Sequence, residues 1–315
     1  AVAPGWTPGG KTVSGVFAFL FYPEIASDGA GGAFVVWLDF RNSLANPDLY
    51  AQHVRGDGSF APGWPSNGLP ICTVPGQEFN YKALADGSGG AVITWWDGRD
   101  PALGFGNPGI HALRIQSDGS LAPGWQADGN LVSPVGGEPT PVPDGTGGAI
   151  VGWQYDSGSI TQSDIFATRI LGTGTLAPGW ALPGAPACVA AGDQFSPSLL
   201  EDGAGGAYFG WIDYRLDPNR RHVFGQHLNA AGAVAAGWPA QGLVICAAPE
   251  NQDQPVLASD GAGGVIYVWQ DWRLAFPPNI PNNTDIYAQR VTAAGAPQWT
   301  TNGIPVCSQI APQAN

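Results

Sequence analysis

Charge is scarce in this chain. Only 12% of its 315 residues are charged, Lys11 and Lys82 are its two lysines, and it contains no methionine. A surface this poor in charge must be kept wet by Asn, Gln, Ser, Thr and backbone groups. The balance that exists is acidic, 25 Asp+Glu against 12 Lys+Arg, for a net charge of -13. Such a surface repels phosphate, so nucleic acid and anionic membranes are excluded as expected partners. No hydrophobic run approaches the roughly 20 residues that would cross a bilayer, which argues against membrane insertion. No segment keeps a helical period, so the chain reads as all-β.

Familiar catalytic signatures are missing as well: there is no His-Glu-x-x-His, nucleophile elbow or phosphate loop. The four histidines support neither catalysis nor metal binding. His53 and His227 fall in a slot filled elsewhere by Arg114, Arg169 and Arg290, and His111 falls where Tyr50, Phe166, Phe224 and Tyr287 stand. The expectation is a non-enzyme with no cofactor. The missing initiator and the start Ala1-Val2-Ala3-Pro4, in a chain with 47 Gly and 29 Pro, fit an exported product left after leader removal.

What is present is repetition. Asp28-Gly29-Ala30-Gly31-Gly32-Ala33 returns at Asp86, Asp144, Asp202 and Asp260, each 58 residues after the last. Nine residues beyond each Asp stands Trp37, Trp95, Trp153, Trp211 or Trp269. A second block, Asp285 to Val291 in its last copy, also occurs at Asp48 to Val54, Gly109 to Ile115, Asp164 to Ile170 and His222 to Leu228. A third, Trp then Gly four residues on and Cys or Ser eight residues on, begins at Trp6, Trp64, Trp125, Trp180, Trp238 and Trp299.

Each unit resolves into four short strands around a glycine hairpin, whose turn needs the positive φ that Gly adopts without strain. Ala33-Phe34-Val35-Val36-Trp37-Leu38 is apolar on both faces, as a strand covered on both sides must be. Four strands at a period of 58 predict a five-bladed β-propeller in a single domain, residues 1–315, with repeats at about 16–74, 75–135, 136–190, 191–248 and 249–308. A linear solenoid is the alternative. The third block occurs six times, so residues 3–15 are expected to be a surplus outer strand, clasping the ring or pairing with another molecule.

The pattern Pro-x-Leu-x-x-Asp-Gly-x-Gly-Gly-Ala-x-x-x-Trp-x-Asp-x-Arg, followed by Asp-Ile-Tyr-Ala-Gln-Arg-Val, resembles the repeats of bacterial secreted or cell-surface β-propeller proteins over residues 3–308. The resemblance implies fold and an extracellular, surface-associated place, and leaves activity open. It also suggests that residues 309–315 begin a linker to a sorting module.

The leading site candidates are Asp39/Arg41, Asp97/Arg99, Asp213/Arg215 and Asp271/Arg273, two and four residues after the repeated Trp, which would offer a polar ring to a glycan. The plainer reading makes each pair an internal tie. The third repeat departs, with Tyr155 and Ser157. Loops 100–108 and 274–284 vary most and are where specificity is expected. Trp96 and Trp272 fall outside the repeating slots and are candidates for exposed stacking platforms. Structural calcium at the Asp-Gly turns is kept open. Cys72, Cys188, Cys246 and Cys307 share one slot. Equivalent positions in neighbouring blades stand roughly 20 Å apart, beyond the ~7 Å Cα limit, so they read as buried apolar residues or as sites of intermolecular bridging.

Together these features point to a non-catalytic binding or adhesive module that meets a surface glycan or protein. Self-assembly into a filament or surface layer through the surplus strand is the first alternative. A glycan-acting enzyme is the second.

Overall fold

The computed structural model describes residues 4–99, 109–156, 163–273 and 284–307. The described residues form twenty strands and no helix. The first sheet comprises β1 Leu20–Ser27, β2 Ala33–Asp39, β3 Asp48–Val54 and β4 Leu69–Cys72; the second comprises β5 Glu78–Ala85, β6 Ala91–Asp97, β7 Gly109–Ile115 and β8 Asn130–Ser133. The third holds β9 Thr140–Pro143, β10 Ala149–Asp156, β11 Ser163–Ile170 and β12 Ala185–Cys188. The fourth is β13 Gln194–Glu201, β14 Ala207–Asp213, β15 His222–Leu228 and β16 Leu243–Cys246; the fifth is β17 Gln252–Ser259, β18 Val265–Asp271, β19 Asp285–Val291 and β20 Ile304–Cys307. In every sheet the strands lie in chain order, so each repeat is a four-stranded antiparallel meander. This is the blade plan of a five-bladed propeller.

The chain divides into two compact units, Ala1–Val151 with Thr168–Gly184, and Gly152–Ala167 with Ala185–Asn315. The first has a core built from Phe34, Val36 and Leu38 of β2 with Ile93 and Trp95 of β6. The second packs Tyr208 and Val223 against Tyr267 and Trp269. Both faces of β3 and β15 are buried at every residue, as the doubly apolar pattern predicts.

The spacing of the third block has a packing cause. A Cβ on Gly68, Gly129, Gly242 or Gly303 would lie 2.4–2.6 Å from the Cη2 of Trp37, Trp95, Trp211 or Trp269. Glycine therefore lets the β4-type segment close over the indole of its own sheet, and it does so at a positive φ of 82–94° that glycine adopts freely.

Residues 4–15 differ from the expectation. They form no strand, and β20 completes the fifth sheet. The segment instead lies against the first sheet: Trp6 Nε1 donates to Gly56 O at 2.9 Å, and Gly15 N donates to Asn67 Oδ1 at 3.1 Å. Trp64 makes the same contact to Ser117 O of the second sheet, and Thr73 N to Asp128 Oδ1. The sixth block thus keeps the side-to-side contact that Trp64, Trp125 and Trp238 make, without a β3-type partner strand to pair with. That absence is why it is no strand.

Candidate functional site

The four Asp/Arg pairs are closed clamps. Trp37, Trp95, Trp211 and Trp269 donate their indole N–H to Asp39, Asp97, Asp213 and Asp271 at 2.9, 2.6, 2.8 and 2.8 Å. The second oxygen of each carboxylate takes the backbone N–H of Arg41, Arg99, Arg215 or Arg273, and the guanidinium closes on the same group. Each arginine also donates to a carbonyl of the third block, at Asn67, Asp128, Gln241 or Asn302. Three of them lie over Tyr50, Phe224 or Tyr287. The aspartates are buried with every oxygen engaged inside the protein, so they form no open ring for a glycan. In the third repeat, where Tyr155 replaces Asp, the indole N–H of the buried Trp153 has no hydrogen-bond partner.

The hairpin aspartates are saturated in the same way. Oδ1 of Asp28, Asp86, Asp144, Asp202 and Asp260 accepts the N–H groups two and four residues on. Oδ2 meets His53, Arg114, Arg169, His227 or Arg290 at 2.8–3.1 Å. This explains why His and Arg alternate in one slot: both serve as donors to the turn. The calcium alternative at these turns has no free carboxylate oxygen to build on.

Trp96 is half-buried and packs on Phe79 at 5.8 Å, while Trp272 lies beside Arg221 with 5.6 Å between guanidinium and ring centre. Neither is an open platform. Loop residues 100–108 and 274–283, Ser157 and residues 308–315 lie outside the described residues. All four cysteines are free thiols. Cys72, Cys188 and Cys246 are buried, with Arg99, Arg215 or Arg273 donating to the sulfur, and Cys307 is exposed.

Two places depart from this closed pattern. One is the junction of the first two sheets. Cys72 Sγ donates to Glu78 Oε1 at 3.4 Å, and Asp97 lies beside both. His111 Nδ1 stands 3.7 Å from Asp97 Oδ2. Burial, reinforced by Asp97 and Asp48, pushes the Glu78 carboxyl up to about 8. Burial likewise pushes the Cys72 thiol up and the His111 imidazole down to about 4. Sequence reasoning passed over Glu78. Its signal was a carboxylate in the slot that holds Gln194 and Gln252.

The other is β1. Phe17, Phe19, Phe21 and Tyr22 are all exposed, with Phe19 and Phe21 stacked at 6.1 Å. Tyr22 adopts a φ of 52° in a bulge between Phe21 and Glu24, and Tyr81 Oη donates to the carbonyls of both Phe21 and Tyr22. Glu24 and Lys82 meet at 2.5 Å beside this bulge.

No family model and no curated protein matches the chain. Among solved structures it is similar to a protein of unknown function from Dyadobacter fermentans DSM 18053 (TM-score 0.50, 11% identity, 93% of this chain and 85% of that one). It is also similar to an endo-arabinase from Bacteroides thetaiotaomicron VPI-5482 (TM-score 0.37, 12% identity, 93% and 98%) and an α-L-arabinanase from Penicillium chrysogenum (TM-score 0.43, 9% identity, 85% and 77%). These likenesses concern fold.

The expectation of an adhesive module built on these pairs is corrected: its polar ring consists of internal clamps.

Proposed function

We propose that the chain is an exported propeller-type protein that acts on a neutral polysaccharide, held along β1 at the junction of the first two sheets. The exposed aromatic run carries this reading. Phe19 is 62% and Tyr22 74% accessible, and Phe17 and Phe21 extend the same surface. Contiguous exposed rings on a folded protein mark a ligand surface. Flat aromatic faces beside polar groups suit the apolar faces and hydroxyl rims of sugar rings. A net charge of -13 favours an uncharged polymer over a polyanion. Glu24 and Lys82 place a carboxylate and an ammonium at the end of the platform, polar groups suited to sugar hydroxyls, of which the carboxylate is the candidate general base.

The test is incubation with arabinan, xylan, galactan and glucan, following release of reducing ends. Cleavage of at least one polymer is expected, reduced roughly 100-fold or more in Glu24→Gln and weakened in KM by Phe19→Ala. No cleavage of any polymer, together with unchanged migration in polysaccharide-containing gels, overturns the reading.

A second reading rests on the fifth sheet. Val306 is 63% exposed and Cys307 is open on β20, whereas the matching residues of β4 and β16 are buried. This face fits a further copy of the chain. Sedimentation that shows only monomer at all concentrations, with and without reductant, overturns it.

A further inference from the structure

The junction between the first two sheets has a composition that none of its sister junctions shares. In the fourth and fifth sheets the slot of Glu78 holds Gln194 and Gln252, whose amide nitrogens donate to loop carbonyls at Gly192 and at Ala248, Pro249 and Glu250. The slot of His111 holds Phe224 and Tyr287 there. The second sheet has therefore exchanged an amide and an aromatic ring for a carboxylate and an imidazole, the usual ligands of zinc-class ions. It places them where a cysteine and an aspartate are present in any case.

Four observations make this a built site rather than a chance cluster. Cys72, Glu78 and Asp97 are 0–1% exposed, and one ligand atom from each lies within 4.8 Å of the others. Glu78 Oε2 has no hydrogen-bond partner, and neither does His111 Nδ1, which lies outside that cluster at 3.7 Å from Asp97 Oδ2. The guanidinium of Arg99 is already paired with Asp97, so the buried Glu78 has no cation of its own. Finally, the 3.4 Å between Cys72 Sγ and Glu78 Oε1 fits one ion. Two ligands at ~2.3 Å (sulfur) and ~2.0 Å (oxygen) from a tetrahedral centre stand about 3.5 Å apart.

We propose that Cys72, Glu78, Asp97 and His111 form a binding site for one borderline divalent cation of the zinc class. The thiolate and imidazole select against calcium and magnesium, which take oxygen alone. On binding, the Cys72 thiol and the Glu78 carboxyl lose their protons to solvent, Glu78 turns to the ion, Asp97 Oδ2 exchanges the Trp95 indole N–H and Arg99 Nη2 for it, and the His111 ring moves in to ligate through Nδ1. Arg99 keeps Asp97 Oδ1 through Nε at 2.8 Å and through its backbone N–H. The protein-only ligand set makes the site structural, pinning the first two sheets together. His111, read from the sequence as an aromatic substitute, acquires a role because Glu78 changed in the same repeat.

The site can be tested on the intact, chelator-treated chain by titration with Co2+ and then Zn2+. Visible bands of tetrahedral Co2+ and a near-ultraviolet thiolate-to-cobalt band should rise to one equivalent and be displaced by Zn2+. Both substitutions used as controls have counterparts inside this fold. Serine stands in the Cys72 slot at Ser14 and Ser133, and glutamine in the Glu78 slot at Gln194 and Gln252. Cys72→Ser should abolish the thiolate band, and Glu78→Gln should weaken binding at least tenfold, while Cys307→Ser leaves both intact. Failure to bind one equivalent, a thiolate band that survives Cys72→Ser, or affinity unchanged in Glu78→Gln overturns the proposal.

Discussion

The third and fourth sheets share a strand plan and differ at one tie. In the fourth, Trp211 donates to Asp213, which holds Arg215, which reaches Gln241 O, so one carboxylate fastens the end of β14 to the third-block turn. In the third, Tyr155 takes the place of Asp, packs edge-on to Phe166 at 6.2 Å, and leaves the Trp153 N–H without an acceptor. Trp153 and Trp211 are nevertheless buried to the same degree. The tryptophan is therefore kept for packing, and the clamp is added to it. A repeat can lose the clamp and keep the sheet.

The strongest way to break the comparison is to remove the clamp where it exists. Asp213→Ala leaves Arg215 without its partner and Trp211 without its acceptor, and should cost about 3 kcal/mol. Tyr155→Ala at the matching slot should cost about 1 kcal/mol, the typical value for a substitution that breaks no such network. Denaturant midpoints of the two variants measure the difference. Equal losses would show that the clamp adds nothing beyond packing.

A smaller effect is expected at the hairpin tie, which the third sheet retains. Burial pushes the Asp144 carboxyl up, but Thr146, Gly148 and Arg169 together outweigh it and hold the group below its ordinary value. A carboxylate depressed in the folded state stabilises the fold above its unfolded pKa, and that contribution is lost as pH falls through the folded value. Asp144→Asn should therefore cost about 2 kcal/mol at neutral pH. The gap to the parent should shrink as pH drops below about 3.8. Thermal melts at a series of pH values check this, and a gap that stays constant into acid would contradict it.

These ties show how far the sequence could be read. The 58-residue period and the doubly apolar β2 pattern placed all five sheets, because turn glycines and strand periodicity are local signals. The Trp-to-Gly spacing was visible, but its cause, a glycine closing over an indole from a distant strand, is a contact that spacing alone does not name. The Asp-x-Arg recurrence left an open ring and an internal tie both standing, with the tie the plainer reading, since recurrence looks alike for both and only the closed carboxylates separate them. The sixth third-block copy predicted a strand. A strand needs a partner, and residues 4–15 find side contacts with the first sheet instead. Glu78 was missed because it is a single departure from a pattern, while the aromatic run from Phe17 to Tyr22 lies before the first Asp-Gly turn, where no repeated motif drew attention to it.

The finest test separates the two tryptophans by one atom group. Trp153→Phe and Trp211→Phe remove the same volume from equally buried sites, so the cavity and transfer costs are similar and cancel in the comparison. What differs is the N–H. At Trp211 the substitution also deletes a hydrogen bond to a charged group that lies 2.8 Å from the indole nitrogen. At Trp153 it deletes a donor that is buried without a partner, and that relieves a cost instead of adding one. Trp211→Phe should therefore destabilise by about 1.5 kcal/mol more than Trp153→Phe, measured as the difference in unfolding free energy from two denaturant titrations. If the two losses coincide, the Trp–Asp bond contributes no net stability and the clamp acts through Arg215 alone. If Trp153→Phe costs more, the Trp153 N–H has an acceptor in solution and the contrast between the two sheets is one of packing rather than hydrogen bonding.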